Sequence, residues 1–206
     1  IWVQLRYESD GLLFDNTKGS VIIDGKPAAW NRATSRWERS VTAIHVIGTA
    51  KYRAAFTDTA YGIRGSSGAS ETTVITDQLN LIQNGVEDSR VDLSSIAVVW
   101  FKVQYQYDGL EFNGQKGLVY VNESPAYWNP EESRWEYSAR ESSVGIKSYR
   151  VTSIIDRVYR LTRMVLTAGE VNVIWDRIKI VEGGRSSERV DVGSEVKIYY
   201  TLKLSL

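Results

Sequence analysis

Residues 1–7, IWVQLRY, alternate along the chain, with Ile1, Val3, Leu5 and Tyr7 on one face and polar positions between them. A period of two over this length predicts a half-buried strand. Residues 18–23 are rich in β-branched side chains and read as a second strand. Short strands follow at 28–30 and 36–39, the alternation returns over 41–57, and residues 60–64 form another short strand. Asp10 with Gly11, Asp24 with Gly25, and residues 31–35 supply turns, because Asp, Asn and Gly accept the backbone of tight hairpins. GSSGAS at 65–70 reads as a loop, ETTVITDQLNLI at 71–82 as one longer strand, and 84–90 as a loop leading into a strand over 90–107. The best helical candidate, 152–165, also reads as two strands, and it is assigned to β structure. Short strands with turn signals every ~8–12 residues predict an all-β sandwich.

The same pattern occurs twice. Residues 7–40, YESDGLLFDNTKGSVIIDGKPAAWNRATSRWERS, align with residues 105–138, YQYDGLEFNGQKGLVYVNESPAYWNPEESRWEYS, at a constant offset of 98. Asp10-Gly11, Lys18-Gly19, Trp30-Asn31 and Arg36-Trp37-Glu38 thereby map onto Asp108-Gly109, Lys116-Gly117, Trp128-Asn129 and Arg134-Trp135-Glu136. Residues 171–181, VNVIWDRIKIV, repeat 72–82, and Arg189-Val190-Asp191 repeats Arg90-Val91-Asp92. Ile198, Tyr200 and Leu202 repeat Ile1, Val3 and Leu5. Such self-similarity means tandem units. With the unit taken to begin at the long strand near Thr72, the expected division is three pieces. A first sandwich at 1–70 lacks its leading strand, a complete second sandwich spans 71–168, and 169–206 carries the leading strands of a third. The chain opens on Ile1-Trp2 without an initiator methionine, which is expected of a processed form or a portion of something longer.

Composition narrows the classes. Basic and acidic residues number 25 each and are interspersed. That argues against a nucleic-acid footprint, which needs a basic face, and no stretch resembles a polybasic lipid-binding run. No apolar run approaches the ~20 residues of a membrane span. With no cysteine, disulfides and Cys-type zinc sites are excluded. One methionine, no cysteine and abundant charge of both signs fit a thermophile.

The pattern Tyr-x-x-Asp-Gly, then Lys-Gly before a hydrophobic run, then Trp-Asn and Arg-Trp-Glu, resembles the Ig-like repeats of large secreted and cell-surface proteins of hyperthermophilic archaea. Residues 105–136 carry it best. Trp175-Asp176-Arg177-Ile178 is the clearest leading strand, and Thr76-Asp77-Gln78-Leu79 departs from it. The resemblance implies two tandem immunoglobulin-like sandwiches in an extracellular protein of surface layers, adhesion or fibres. It implies no catalytic residue.

Candidate chemistry is sparse. The pairs Trp30/Trp37 and Trp128/Trp135 read either as a sugar-stacking platform or as cross-strand core pairs. Asp10, Asp24, Asp77, Asp108 and Asp176 read as turn and capping residues rather than calcium ligands, since no acidic loop is present. His45 is the only histidine, too isolated for a triad or a zinc site, and reads as an ordinary strand residue. Lys18 and Lys116 read as snorkelling surface lysines, with an isopeptide bond to an Asn as the other reading. Asn122 heads the single N-x-[ST] tripeptide. No enzyme, cofactor or metal is expected. The phase of the repeat suggests instead that copies link head to tail by strand addition. The donor would be Val171, Val173, Trp175, Ile178 and Ile180, and the acceptor edge Ile1, Val3 and Leu5. Partners would then be identical subunits, and for a surface adhesin, surface glycans.

Overall fold

The computed structural model describes residues 1–42, 46–66, 71–166 and 168–204. Every regular element among them is a strand, so the protein is all-β. Two compact units are present, Ile1–Asp77 and Gln78–Leu206. The limits drawn at 70/71 and 168/169 therefore move, for a reason that lies in strand pairing.

Unit 1 holds β1 (Trp2–Val3), β2 (Gly19–Ile23), β3 (Lys26–Pro27), β4 (Ala29–Asn31), β5 (Arg36–Glu38), β6 (Gly48–Tyr52), β7 (Ala54–Asp58), β8 (Arg64–Ser66) and β9 (Thr72–Thr76). They pair in the orders β1-β5-β4, β3-β2-β7-β8 and β6-β9. The core is Phe14, Val21, Ile23 and Trp37, with Ile1, Val3, Leu5 and Tyr7 half-buried against it.

Unit 2 begins with β10 (Leu79–Val86), β11 (Arg90–Asp92), β12 (Ala97–Tyr105), β13 (Gly117–Val121) and β14 (Ser124–Pro125). It continues with β15 (Tyr127–Asn129), β16 (Arg134–Ala139), β17 (Gly145–Tyr149), β18 (Val151–Asp156), β19 (Met164–Leu166) and β20 (Val171–Asp176). A five-stranded sheet, β15-β16-β12-β10-β19, shares one core with the sheets β11-β20-β17 and β14-β13-β18. The nine residues of β12 alternate buried and half-buried along their whole length, the period-two signature of a central strand. The helical candidate at 152–165 contains no helix: 152–156 lie in β18, 164–165 in β19, and 157–163 between them form no regular element.

The stretch 71–82 is not one strand. Thr72–Thr76 pairs with β6 inside unit 1, and Leu79–Val86 opens unit 2. The stretch 171–181 breaks at the matching place: β20 pairs with β17 and β11, and β21 (Ile178–Arg185) starts a separate hairpin with β22 (Ile198–Leu204). At the break Asp176 is buried. Its carboxylate accepts from the Arg177 backbone N–H at 2.8 Å and from Arg90 Nη1 at 2.9 Å. A buried carboxylate needs such partners, and the ladder of β20 with β11 ends at this residue.

Two turns explain local sequence choices. Asp24 and Gly25 (φ 49° and 70°) and the matching Asn122 and Glu123 (φ 45° and 69°) both occupy the left-handed region, as a two-residue hairpin loop requires. Gly117 packs where an added Cβ would lie 1.9 Å from the Ile155 carbonyl oxygen and 2.5 Å from the Phe112 ring.

Candidate functional site

The repeated motif builds structure, not a pocket. Trp135 donates its indole N–H to the Phe112 carbonyl at 2.7 Å, and Trp37 donates to Phe14 at 3.0 Å. Each is buried, and Trp128 and Trp30 lie against them at 5.5 Å between ring centroids. Trp37 and Trp135 therefore have no face to offer a sugar, and the stacking-platform reading fails for them. Sequence could not separate a cross-strand pair from a platform, because the spacing is the same. Glu136 accepts from Tyr127 Oη at 2.6 Å, Asn129 Nδ2 at 2.8 Å and Arg134 Nε at 2.7 Å. Burial opposes its charge, but these three bonds hold the carboxyl below its ordinary value. In unit 1, bonds from Asn31 and Thr34 lower Glu38 likewise. The Trp-Asn and Arg-Trp-Glu motif is thus a polar clasp over a hairpin.

A second pair of clusters was not legible as such. Asp58 and Asp156, again 98 apart, are buried polar nodes. Asp58 accepts from Tyr7 Oη at 2.7 Å and from the backbone N–H of Ala60 and Tyr61 at 2.7 and 3.0 Å. Burial, then the bond to Asp58, pushes the Tyr7 phenol up to about 12. For Asp58 the same bonds outweigh burial and lower the carboxyl. Lys18 and Lys116 are not snorkelling outward. Their amines donate to the Leu13 and Glu111 carbonyls and lie 5.6 and 4.9 Å from the Tyr7 and Tyr105 ring centroids. The signal that could have exposed this is the repeat itself, which retains all three residue types in register.

The other candidates resolve individually. Asp10 and Asp108 accept from the backbone N–H of Leu12 and Leu110, as turn residues do. Asn122 is exposed, but its amide donates to the Ser148 carbonyl and its oxygen accepts from the Arg150 N–H. His45 lies outside the described residues. Among the described residues no group of three or more His, Cys, Asp or Glu gathers in a way that could hold a metal ion. Among the described residues there is no helix long and apolar enough to cross a membrane, which says nothing of a β-barrel.

The features unlike an ordinary domain surface are two. The first is the β21–β22 hairpin. Its register, Ile178↔Leu204 through Arg185↔Ile198 with a bulge after Ile180, reproduces that of β10 and β12, Leu79↔Tyr105 through Val86↔Val99 with a bulge after Leu81. Even the glycine contact recurs: a Cβ on Gly85 would meet the Trp100 ring at 2.5 Å, and one on Gly184 the Tyr199 ring at 2.5 Å. Leu79 and Leu81 are 1% exposed, whereas the matching Ile178 and Ile180 are 65% and 63% exposed. The hairpin therefore carries a core-facing surface with no core on it.

The second feature is the edge of unit 1. Among the described residues β1 pairs only with β5 and β9 only with β6. Their counterparts in unit 2, β12 and β20, each have a further partner, β10 and β11. A groove of about 620 Å3, lined by Ile1, Trp2, Val3, Gln4, Thr72 and Val74, occupies the vacant side. Trp2 is exposed, while Val3 is only half-buried where Phe101 is fully buried.

The expected acceptor residues Ile1, Val3 and Leu5 are thus brought together, with Ile1 and Val3 on the groove. The expected donor is corrected. Val171, Val173 and Trp175 belong to the core of their own unit, Val173 and Trp175 at 0% exposure, because β20 is paired on both edges. Ile178 and Ile180, by contrast, lie exposed on the β21–β22 hairpin.

Comparison with known proteins finds no matching family model and no matching curated protein. Among solved structures, domains 4 and 5 of the S-layer protein SbsC match with 15% identity over 84% of this chain and 78% of that one, at a TM-score of 0.30. The Bacteroides ovatus mixed-linkage glucan utilization locus SGBP-B, in complex with a mixed-linkage heptasaccharide, matches with 11% identity over 88% of this chain and 45% of that one, at a TM-score of 0.25. Likeness of this degree transfers no role.

Proposed function

We propose that this chain is a non-catalytic structural protein of the cell surface, built from tandem all-β units resembling Ig-like repeats, and that copies join head to tail. The C-terminal hairpin of one copy complements the first unit of the next. The observation that carries the reading is the correspondence between two surfaces. Unit 1 has a groove where unit 2 has β10 and β11, and residues 178–191 repeat those two elements in order. Edge strands that stay open are templates for addition. Head-to-tail joining is heterologous and yields open fibres unless the rotation closes a ring. A glycan-binding surface role draws no support from Trp37 and Trp135, which are buried in the cores.

Sedimentation and electron microscopy of the full chain test the reading. Concentration-dependent, end-to-end oligomers are expected, and they vanish when the chain is stopped after Arg177. Oligomers of unchanged size without residues 178–206 would refute it.

A further inference from the structure

Two Asn-Gly dipeptides occur in the chain, Asn84-Gly85 and Asn113-Gly114, both in unit 2. Asparagine is among the thermolabile residues, because the backbone nitrogen of the next residue can attack its side-chain carbonyl. Glycine lets that nitrogen come closest, having no side chain to hold it off. The fold treats the two dipeptides differently. We propose that Asn113 is a self-modification site, at which the Gly114 nitrogen closes on the Asn113 side-chain carbon and unit 2 ages to aspartate or isoaspartate, while Asn84 is spared. This chemistry does not depend on how copies join.

Asn84 is locked in β10. Its amide donates to the Gly169 carbonyl. Gly85 pairs with Trp100, and the Glu87 N–H donates to the Val98 carbonyl at 3.1 Å. Bonded and non-bonded pairs alternate along an antiparallel ladder, so Gly85 and Trp100 form a bonded pair and the Gly85 nitrogen is committed. Asn113 lies in the turn before β13. Gly114 is exposed, and among the described hydrogen bonds its N–H takes no part. The Asn113 side-chain oxygen accepts from the Gln115 N–H at 3.2 Å. Attack on the neighbouring carbon puts negative charge on that oxygen, and a donor already aimed at it stabilises the charge. Packing favours glycine at 114, since an added Cβ would lie 3.0 Å from Trp128 Cβ. The reactive dipeptide is therefore a consequence of the fold.

The atoms balance with water as the only co-reactant. The bond from Gly114 N to Asn113 Cγ forms, the Cγ–Nδ2 bond breaks, and ammonia leaves with the proton from Gly114. Water then opens the cyclic imide. Opening at Cγ restores the main chain and gives aspartate; opening at the backbone carbonyl gives isoaspartate, whose chain runs through Cβ. The first product fits. Unit 1 has Asp15 at the matching position, accepting from the Thr17 N–H at 3.0 Å as Asn113 accepts from Gln115. The second does not. The Asn113 carbonyl accepts from the Lys116 N–H at 3.0 Å and the Gly117 N–H at 3.3 Å, and isoaspartate turns it into a pendant carboxylate on a lengthened turn. Gly117 cannot shift to follow, because Ile155 and Phe112 already close on it.

The test is incubation of the full chain at mildly alkaline pH, below its unfolding temperature, followed by tryptic peptide mapping with mass spectrometry. Peptide 103–116 holds Asn113 and peptide 65–90 holds Asn84. Amide-to-acid conversion is expected in the first at least about tenfold faster than in the second, the factor set by opening the two hydrogen bonds that hold Asn84 and Gly85. In denaturant the two rates are expected to converge, because the fold no longer separates them. An Asn113→Asp chain is expected to keep the unit 2 thermal transition, whereas the isoaspartate fraction, separated by chromatography, unfolds at a lower temperature. An unmodified peptide 103–116, equal folded-state rates at the two sites, or a preference that persists in denaturant would overturn the proposal. Loss of the unit 2 transition in Asn113→Asp would overturn the fit of the aspartate product.

Discussion

Truncating Trp175 to alanine distinguishes a strand that belongs to unit 2 from one held for donation. Trp175 is 0% exposed and lies in the core with Val173, Val171 and Tyr149. A tryptophan buries up to about 250 Å2, which at about 25 cal/mol per Å2 corresponds to about 6 kcal/mol. Alanine keeps part of that contact and the site collapses in part, so the expected loss is about 3–5 kcal/mol. At about 4 °C per kcal/mol in a unit of this size, the unit 2 transition should fall by roughly 12–20 °C. Differential scanning calorimetry reads this directly, with the unit 1 transition as an internal reference. The companion variant Ile180→Ala, at a residue 63% exposed on the hairpin, should move neither transition by more than about 0.5 kcal/mol. A Trp175→Ala chain that keeps both transitions but loses association would refute the assignment of β20 to its own core.

Gly117→Ala should destabilise unit 2 by about 3 kcal/mol or more, since its Cβ would meet the Ile155 carbonyl oxygen at 1.9 Å; chemical denaturation measures it. Glu123→Gly should stabilise unit 2 by about 1 kcal/mol, because Glu123 holds φ 69° where unit 1 has Gly25; the denaturation midpoint should rise. Glu136, Glu38 and Asp58 all have carboxyls lowered in the folded protein. Their stabilisation is complete above the unfolded values near 4 and drains as pH falls through the folded ones, so unfolding free energy measured from pH 7 to pH 3 should decline, and less steeply in Glu136→Gln. Tyr7 runs the other way. With its phenol at about 12, its contribution is whole below the unfolded value near 10 and is lost as pH rises through the folded one; an alkaline titration of unit 1 with Tyr7→Phe as control checks it.

Much of the fold was legible because it is local. Alternation marked residues 1–7 as strand, β-branched side chains marked β2, and Asp-Gly and Asn turns marked the hairpins. Comparing the two copies aligned Trp37 with Trp135 and Glu38 with Glu136 without any coordinates. These follow from the side-chain period of two and from backbone preferences that act within a few residues. The phase of the repeat was not legible. A periodic sequence can be cut anywhere and still align with itself, so 171–181 read as one hydrophobic strand. Its division at Asp176 depends on Arg90, 86 residues away, and on pairing with β17 and β11. The role of Asp58 was hidden for the same reason, since its phenol partner lies 51 residues earlier. Sequence alone therefore determined what each segment is, a strand or a turn and which residues repeat. Tertiary structure decided which core each strand closes, because burial and hydrogen bonding between distant segments carry no mark in the local pattern.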